Sequence, residues 1–350
     1  MIKLVAFGLA AIMAVTFVGS GMATAADVTV KGLVQTQWIA EQHKASTFAA
    51  RAMRLGASAK LTEKISALIV LEAAKEPNLL DAYVDYTFDP RLSIRSGQFQ
   101  MPFGLETQSS RFDQEAIESS LIINNLWKNG SSTGYSRDIG VMCTARHKVF
   151  ELKLAAVNGV GFNYGESGAV FPKWGTDNNS HKDLVGRFGV GIPVFAGLGF
   201  SMYQGKWPAG DTLSVPDDIV YVGKDRTAMG FDAYLDAGKI LFQMEYIWAE
   251  GRVGGQWKDA GDISDPIKYG GYYVIIGYRV TPMIEPIFKY DKYDPNKDAD
   301  DNSQRDLCLG LNLNFEGKAR LQTSYRIRDD ESQKEDVENN QLIVQMSGKF

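Results

Sequence analysis

The chain is poor in the residues that most chemistry needs. Its two cysteines, Cys143 and Cys308, form no CxxC or CxxCH spacing, which removes haem attachment and a cysteine-held zinc. The three histidines, His43, His147 and His181, have no neighbouring ligand pattern. No G-x-S-x-G, H-E-x-x-H, P-loop or G-x-G-x-x-G occurs, so the residues nominate no enzyme, metal site or cofactor. Beyond residue 25 there is no apolar run of the ~18 residues a membrane-spanning helix needs. The formal charge is only −5, which gives no support to nucleic-acid binding. The 11 prolines cluster where turns and loops are expected, with Pro286 alone inside a strand pattern.

What is present begins with a leader. Lys3 precedes an apolar run from Leu4 to Val18, then small residues ending in Ala23-Thr24-Ala25. This is the pattern of a secretory signal peptide over residues 1–25, cut after an A-x-A site, with residues 26–350 as the mature domain. Loss of Lys3 makes the mature chain one unit more negative. Mean hydropathy of −0.18 suits a soluble protein or a transmembrane barrel equally, because only alternate strand residues of a barrel meet lipid.

Pattern decides between them. Leu307, Leu309, Leu311, Leu313 and Phe315 share one face, opposite Asp306, Cys308, Gly310, Asn312 and Asn314. Leu321, Thr323, Tyr325 and Ile327 oppose Arg320, Gln322, Ser324, Arg326 and Arg328, and Gln341 to Phe350 alternates likewise. Period-two alternation marks strands with one apolar face. The strands are long, their connections alternate between short and long, and the polar faces carry many charges. These features predict an all-β, transmembrane antiparallel barrel of about sixteen strands. Starts are expected near 28, 50, 65, 79, 92, 139, 150, 184, 198, 226, 240, 269, 284, 307, 319 and 341, with strand one closing on the last. Trp38, Phe88, Trp248, Tyr278, Phe288, Tyr290, Phe315 and Tyr325 fall near strand ends on the lipid parity, as interfacial girdles would. Cys143 and Cys308 fall far apart and on opposite faces, so two unpaired thiols are expected.

Several words, in order, resemble the phosphate-selective porin O and P family. They are Arg54-Leu55-Gly56 with Lys60-Leu61-Thr62, Leu80 to Tyr86, and Gly97-Gln98-Phe99 followed by Pro102-Phe103-Gly104-Leu105-Glu106. Arg137-Asp138-Ile139-Gly140-Val141, Asn158-Gly159 and Glu285-Pro286 complete the set, and the likeness is strongest over 50–160. The resemblance implies a sixteen-stranded porin assembling as a homotrimer, a terminal Phe350 read by the assembly machinery, and passage of phosphate or related anions.

Pore function needs charges on the water-facing wall and a narrow place where they act. Parity nominates Arg54, Lys60, Arg95, Arg187, Arg226, Arg320, Arg326, Asp81 and Asp85 as pore-lining residues. The segment 101–136 is too long for a simple connection and is expected to fold inward as a constriction loop, with a short helix over Asp113–Asn125. It carries Arg111, Asp113, Glu115 and Glu118, and its surplus of acids argues for weak selectivity. The leading expectation is passive diffusion of small hydrophilic solutes or inorganic anions across an outer membrane of lipid and lipopolysaccharide. The alternatives are a barrel sheathing a periplasmic cytochrome and an outer-membrane lipid hydrolase.

Overall fold

A computed structural model describes residues 27–74, 77–127, 136–159, 181–192, 195–207, 224–251, 266–332 and 339–350; the expected signal peptide lies outside them. The strands are β1 Asp27–Glu41, β2 Thr47–Lys60, β3 Ile65–Glu72, β4 Asn78–Asp89, β5 Leu92–Gln100, β6 Arg137–His147, β7 Phe150–Val157 and β8 Asp183–Ile192. They continue as β9 Ala196–Trp207, β10 Lys224–Ala237, β11 Ile240–Gly251, β12 Ile267–Tyr278, β13 Ile284–Asp294, β14 Gln304–Phe315, β15 Ala319–Asp330 and β16 Gln341–Lys349. Each pairs antiparallel with its sequence neighbours, and β1 closes on β16 from Leu33↔Lys349 to Glu41↔Gln341. Closure leaves no strand edge to lipid, where an unpaired backbone group has no partner.

Period-two alternation becomes the two faces of the wall. Leu309 is 54% exposed on the outside, while its neighbour Cys308 and Asn312 on the same lumen face are buried. All eight girdle aromatics share the outward parity of their strands; Phe88, Tyr278, Phe315 and Tyr325 are among the most exposed. Turns at one end are tight: Glu316 and Gly317, at φ 49 and 66, reverse β14 into β15, and glycine takes that left-handed backbone without penalty. Cys143 and Cys308 are both free.

The lumen is not uniformly wet. Phe99, Phe103, Ile122, Leu126 and Trp127 meet Val157, Val185, Tyr203, Ala228, Ile247, Tyr269 and Tyr293 in one buried apolar cluster inside the barrel. The inner face of β7–β13 thus carries an apolar patch among its charged residues, and the segment 101–127 packs on it. The chain therefore carries a small globular core within its cylinder, which fixes the inward segment by apolar burial.

Candidate functional site

The segment between β5 and β6 enters the lumen, as its length predicts. The helix is shorter than expected: α1 spans Leu121–Leu126 only, and Asp113–Ser120 runs as turns and bends. The reason is lateral bonding. Arg320 donates to the carbonyls of Phe112 and Gln114, and Gln322 and Asn312 donate to that of Glu115, so these carbonyls are spent on the wall instead of on a helix ladder.

Carboxylates of the wall and of the loop itself hold the rest. Gly104 N–H donates to Ser201 Oγ at 2.9 Å, and a side chain at Gly104 would strike the Glu245 carboxylate. Glu106 N–H donates to Glu245 Oε2 at 3.1 Å, Ser120 N–H to Glu106 Oε1 at 2.9 Å and Leu121 N–H to Asp291 Oδ2 at 2.8 Å. Such charge-assisted bonds are about twice as strong as neutral ones. Glu115 is paired with Arg320, Asp113 with Lys349 at 3.4 Å, and Glu118 with Arg51 at 3.4 Å. Burial pushes the Glu115 carboxyl up to about 7; Arg320 opposes this and Glu285 adds to it. Burial would also raise Glu118, but Arg51, Arg326 and Arg111 together hold it below the usual carboxylate range.

Anchored on the far wall, the loop leaves an opening of 320 Å³ on the side of β2–β6. Arg54, Asp81, Gln100 and Arg137 face it from the wall, and Glu106, Thr107, Gln108, Ser109, Ser110, Arg111, Gln114 and Ser119 from the loop. It is a polar slot with three guanidinium groups, hydroxyls and amides. Arg54 is paired with Glu72 at 3.0 Å, and Arg137 with Asp81 through two bonds of 2.9 and 3.1 Å.

The expected wall and loop residues therefore divide. Arg54, Asp81 and Arg111 line the opening. Arg95 forms a two-bond pair with Asp85 and stacks on Tyr83, 3.6 Å from the ring centroid. Arg187 is paired with Asp232, and Arg326 with Asp306. Lys60 lies exposed beside Glu63 at the mouth with the short turns. Arg226 is not on the opening: it is half-buried, bonded to Asp183 at 3.0 Å and to Tyr203. Glu115 is tied to β15, Asp113 to β16 and Glu118 to β2, and none of the three lines the opening.

Two arginines escape parity. Arg51 sits at a bulge where Gln35 pairs Ala52 and Thr36 pairs Ala50. Arg137 opens β6 opposite Gln100, beyond the irregular Gly97 at φ 133. Strict alternation sends both to lipid. The available signal was the charge itself, since an arginine facing lipid near the midplane costs about 2–4 kcal/mol.

Comparison with known proteins agrees with this architecture. Residues 36–187 match the family model "Phosphate-selective porin O and P". The anion-selective porin from Comamonas acidovorans superposes with a TM-score of 0.66 at 15% identity, over 93% of this chain and 100% of that one. The outer membrane channel DcaP of Acinetobacter baumannii gives 0.65 at 14% identity over 95% and 99%, and OmpF of Salmonella typhi gives 0.63 at 12% over 92% and 97%. A comparison with curated protein sequences finds no match. With its closed sixteen-stranded wall and inward loop, this chain has the β-barrel fold of outer-membrane porins, and its residues 36–187 match the model of the phosphate-selective porin O and P family.

Proposed function

We propose that the chain is a passive channel for small hydrophilic solutes with a modest preference for anions. The observation that carries this reading is the distribution of charge around the opening. Arg54, Arg111 and Arg137 line it with Asp81 and Glu106, whereas the loop acids Glu115 and Glu118 do not line it and are paired with Arg320 and Arg51. Asp81 and Glu72 offset two of the arginines, so the preference is modest. Hydroxyls and amides of the loop replace part of a solute's hydration without demanding a charge. The match to phosphate-selective porins and the anion-selective relative point the same way, and phosphate is the first solute to try. The loop-filled lumen speaks against a threaded partner protein, since 320 Å³ holds a small solute and no polypeptide domain. In the same reading, residues 1–25 export the chain, and the barrel sits as a homotrimer among lipid and lipopolysaccharide; a relative, OmpT of Vibrio cholerae, has a structure described as a trimer form.

The test is a planar bilayer recording of the purified protein. Discrete open channels with a reversal potential on the anion side in a chloride gradient, retained when phosphate replaces chloride, are expected. Absence of conductance, or a cation-side reversal potential, overturns the reading.

A further inference from the structure

Alternation along β2 directs Arg54 and Ala52 into the lumen and leaves Arg51 to the lipid side. The bulge opposite Gln35 and Thr36 removes Arg51 from the ladder: Ala52 and Ala50 have cross-strand partners on β1 and Arg51 has none. An extra residue of this kind re-aims its side chain. Here the guanidinium turns inward and meets the Glu118 carboxylate at 3.4 Å. Arg111, Arg326 and Gln37 are grouped around the same carboxylate, and Lys289 Nζ donates to the Glu118 carbonyl at 3.1 Å. On either side of Glu118, Gln114 and Ser119 line the opening, as does Arg111 itself. The Glu118 side chain is therefore next to the ion path and is kept from it by its pairing.

We propose that Arg51 is a positioning residue of the pore, which holds the Glu118 carboxylate against the β1–β2 wall and so keeps a negative charge out of the opening. The pair is the loop's ionic tie to β2, on the side where the opening begins, and the bulge is what makes it reachable. Arg51 then affects charge selectivity chiefly through Glu118 and only secondarily through its own charge. The idea rests on the channel reading above, but its test is separable from it.

The test compares the full-length wild type, R51Q, E118Q and R51Q/E118Q in planar bilayers under a potassium chloride gradient, with heat-dependent gel mobility as the check that each barrel is folded. Loss of Arg51 is expected to lower the anion-to-cation permeability ratio about threefold or more, because a charge is lost and another is released. Loss of Glu118 is expected to change the ratio little when Arg51 is present and to restore most of it when Arg51 is absent. Such non-additivity is the mark of two groups acting as one. R51K, which keeps the pair, is expected to stay near wild type. Equal factors for E118Q in both backgrounds overturn the proposal, even if the pore is anion-preferring. Non-additivity sustains it even if the wild type shows no preference. Should R51Q fold poorly, the swapped pair R51E/E118R decides: a ratio within about twofold of wild type supports the tie, and a larger displacement overturns it.

Discussion

Arg137→Gln offers the most direct reading of the opening. Arg137 holds Asp81 by two bonds of 2.9 and 3.1 Å, so its loss leaves one uncompensated carboxylate in the slot. A volume of 320 Å³ is that of a sphere about 4 Å in radius; adding the wall atoms puts the charge roughly 7 Å from the ion path, where Coulomb's law in water gives about 0.6 kcal/mol. A cation gains this amount and an anion loses it, so the permeability ratio changes by about eightfold without salt. At 0.1 M, where the Debye length is about 10 Å, screening roughly halves the energy and the change falls to about threefold. Reversal potentials in a potassium chloride gradient should therefore move to the cation side, with the permeability ratio changed by a factor of about 3 to 8. Asp81→Asn should move them to the anion side by a similar factor, and the double variant should return near wild type. Breaking a buried pair also costs about 3–5 kcal/mol of stability, so gel mobility must first show a folded barrel. Shifts of the two single variants in the same direction, or smaller than about 1.5-fold, would refute the assignment of this slot as the ion path.

Two further outcomes test the wall and the loop. Leu311 faces lipid four positions from the girdle residue Phe315, about 10 Å up a tilted strand and near the middle of a ~25 Å apolar band, so Leu311→Arg should cost about 2–4 kcal/mol in urea unfolding from vesicles, whereas Ala319→Arg at the girdle should cost about 0–1 kcal/mol. Glu115, raised from 4.5 to about 7, binds its proton more tightly in the folded barrel than in the unfolded chain. Its contribution to stability is therefore complete below pH 4.5 and is lost as pH rises through about 7, and Glu115→Gln should flatten that decline in unfolding free energy.

Strand order, closure and faces were legible in the sequence because a lipid-facing wall forces every strand to alternate. The expected strand starts fall within three residues of the observed ones, the largest differences being Ala50 against Thr47 and Leu307 against Gln304. The inward loop was legible from its length. Its helix was overextended because Ala116, Ile117, Leu121 and Ile122 recur at helical spacing, yet the carbonyls of Gln114 and Glu115 just before them bond to Arg320, Asn312 and Gln322, far along the chain. Pairing was illegible for the same reason: Asp232 lies 45 residues from Arg187, and only the register of β8–β10 brings them together. A bulge advances parity by one residue, and alternation has no means of registering it, which is how Arg51 was lost. The apolar inner wall did leave a trace: Tyr269 to Ile276 is apolar on both parities apart from two glycines, the text of a strand buried on both faces.

The apolar core inside the barrel also dictates an order of events. The loop emerges after β5, but its hydrophobic partners Val157, Val185, Tyr203, Ala228, Ile247, Tyr269 and Tyr293 all come later in the chain, as do the acceptors Glu245 and Asp291. While only the first strands are in place, the loop can reach Leu33, Gln35, Arg51 and Ala52 but not this core. The narrow slot is therefore among the last parts of the molecule to form, and a half-built wall is a wide, leaky one. Assembly that delivers the strands of the second half promptly keeps the membrane sealed as well as completing the fold.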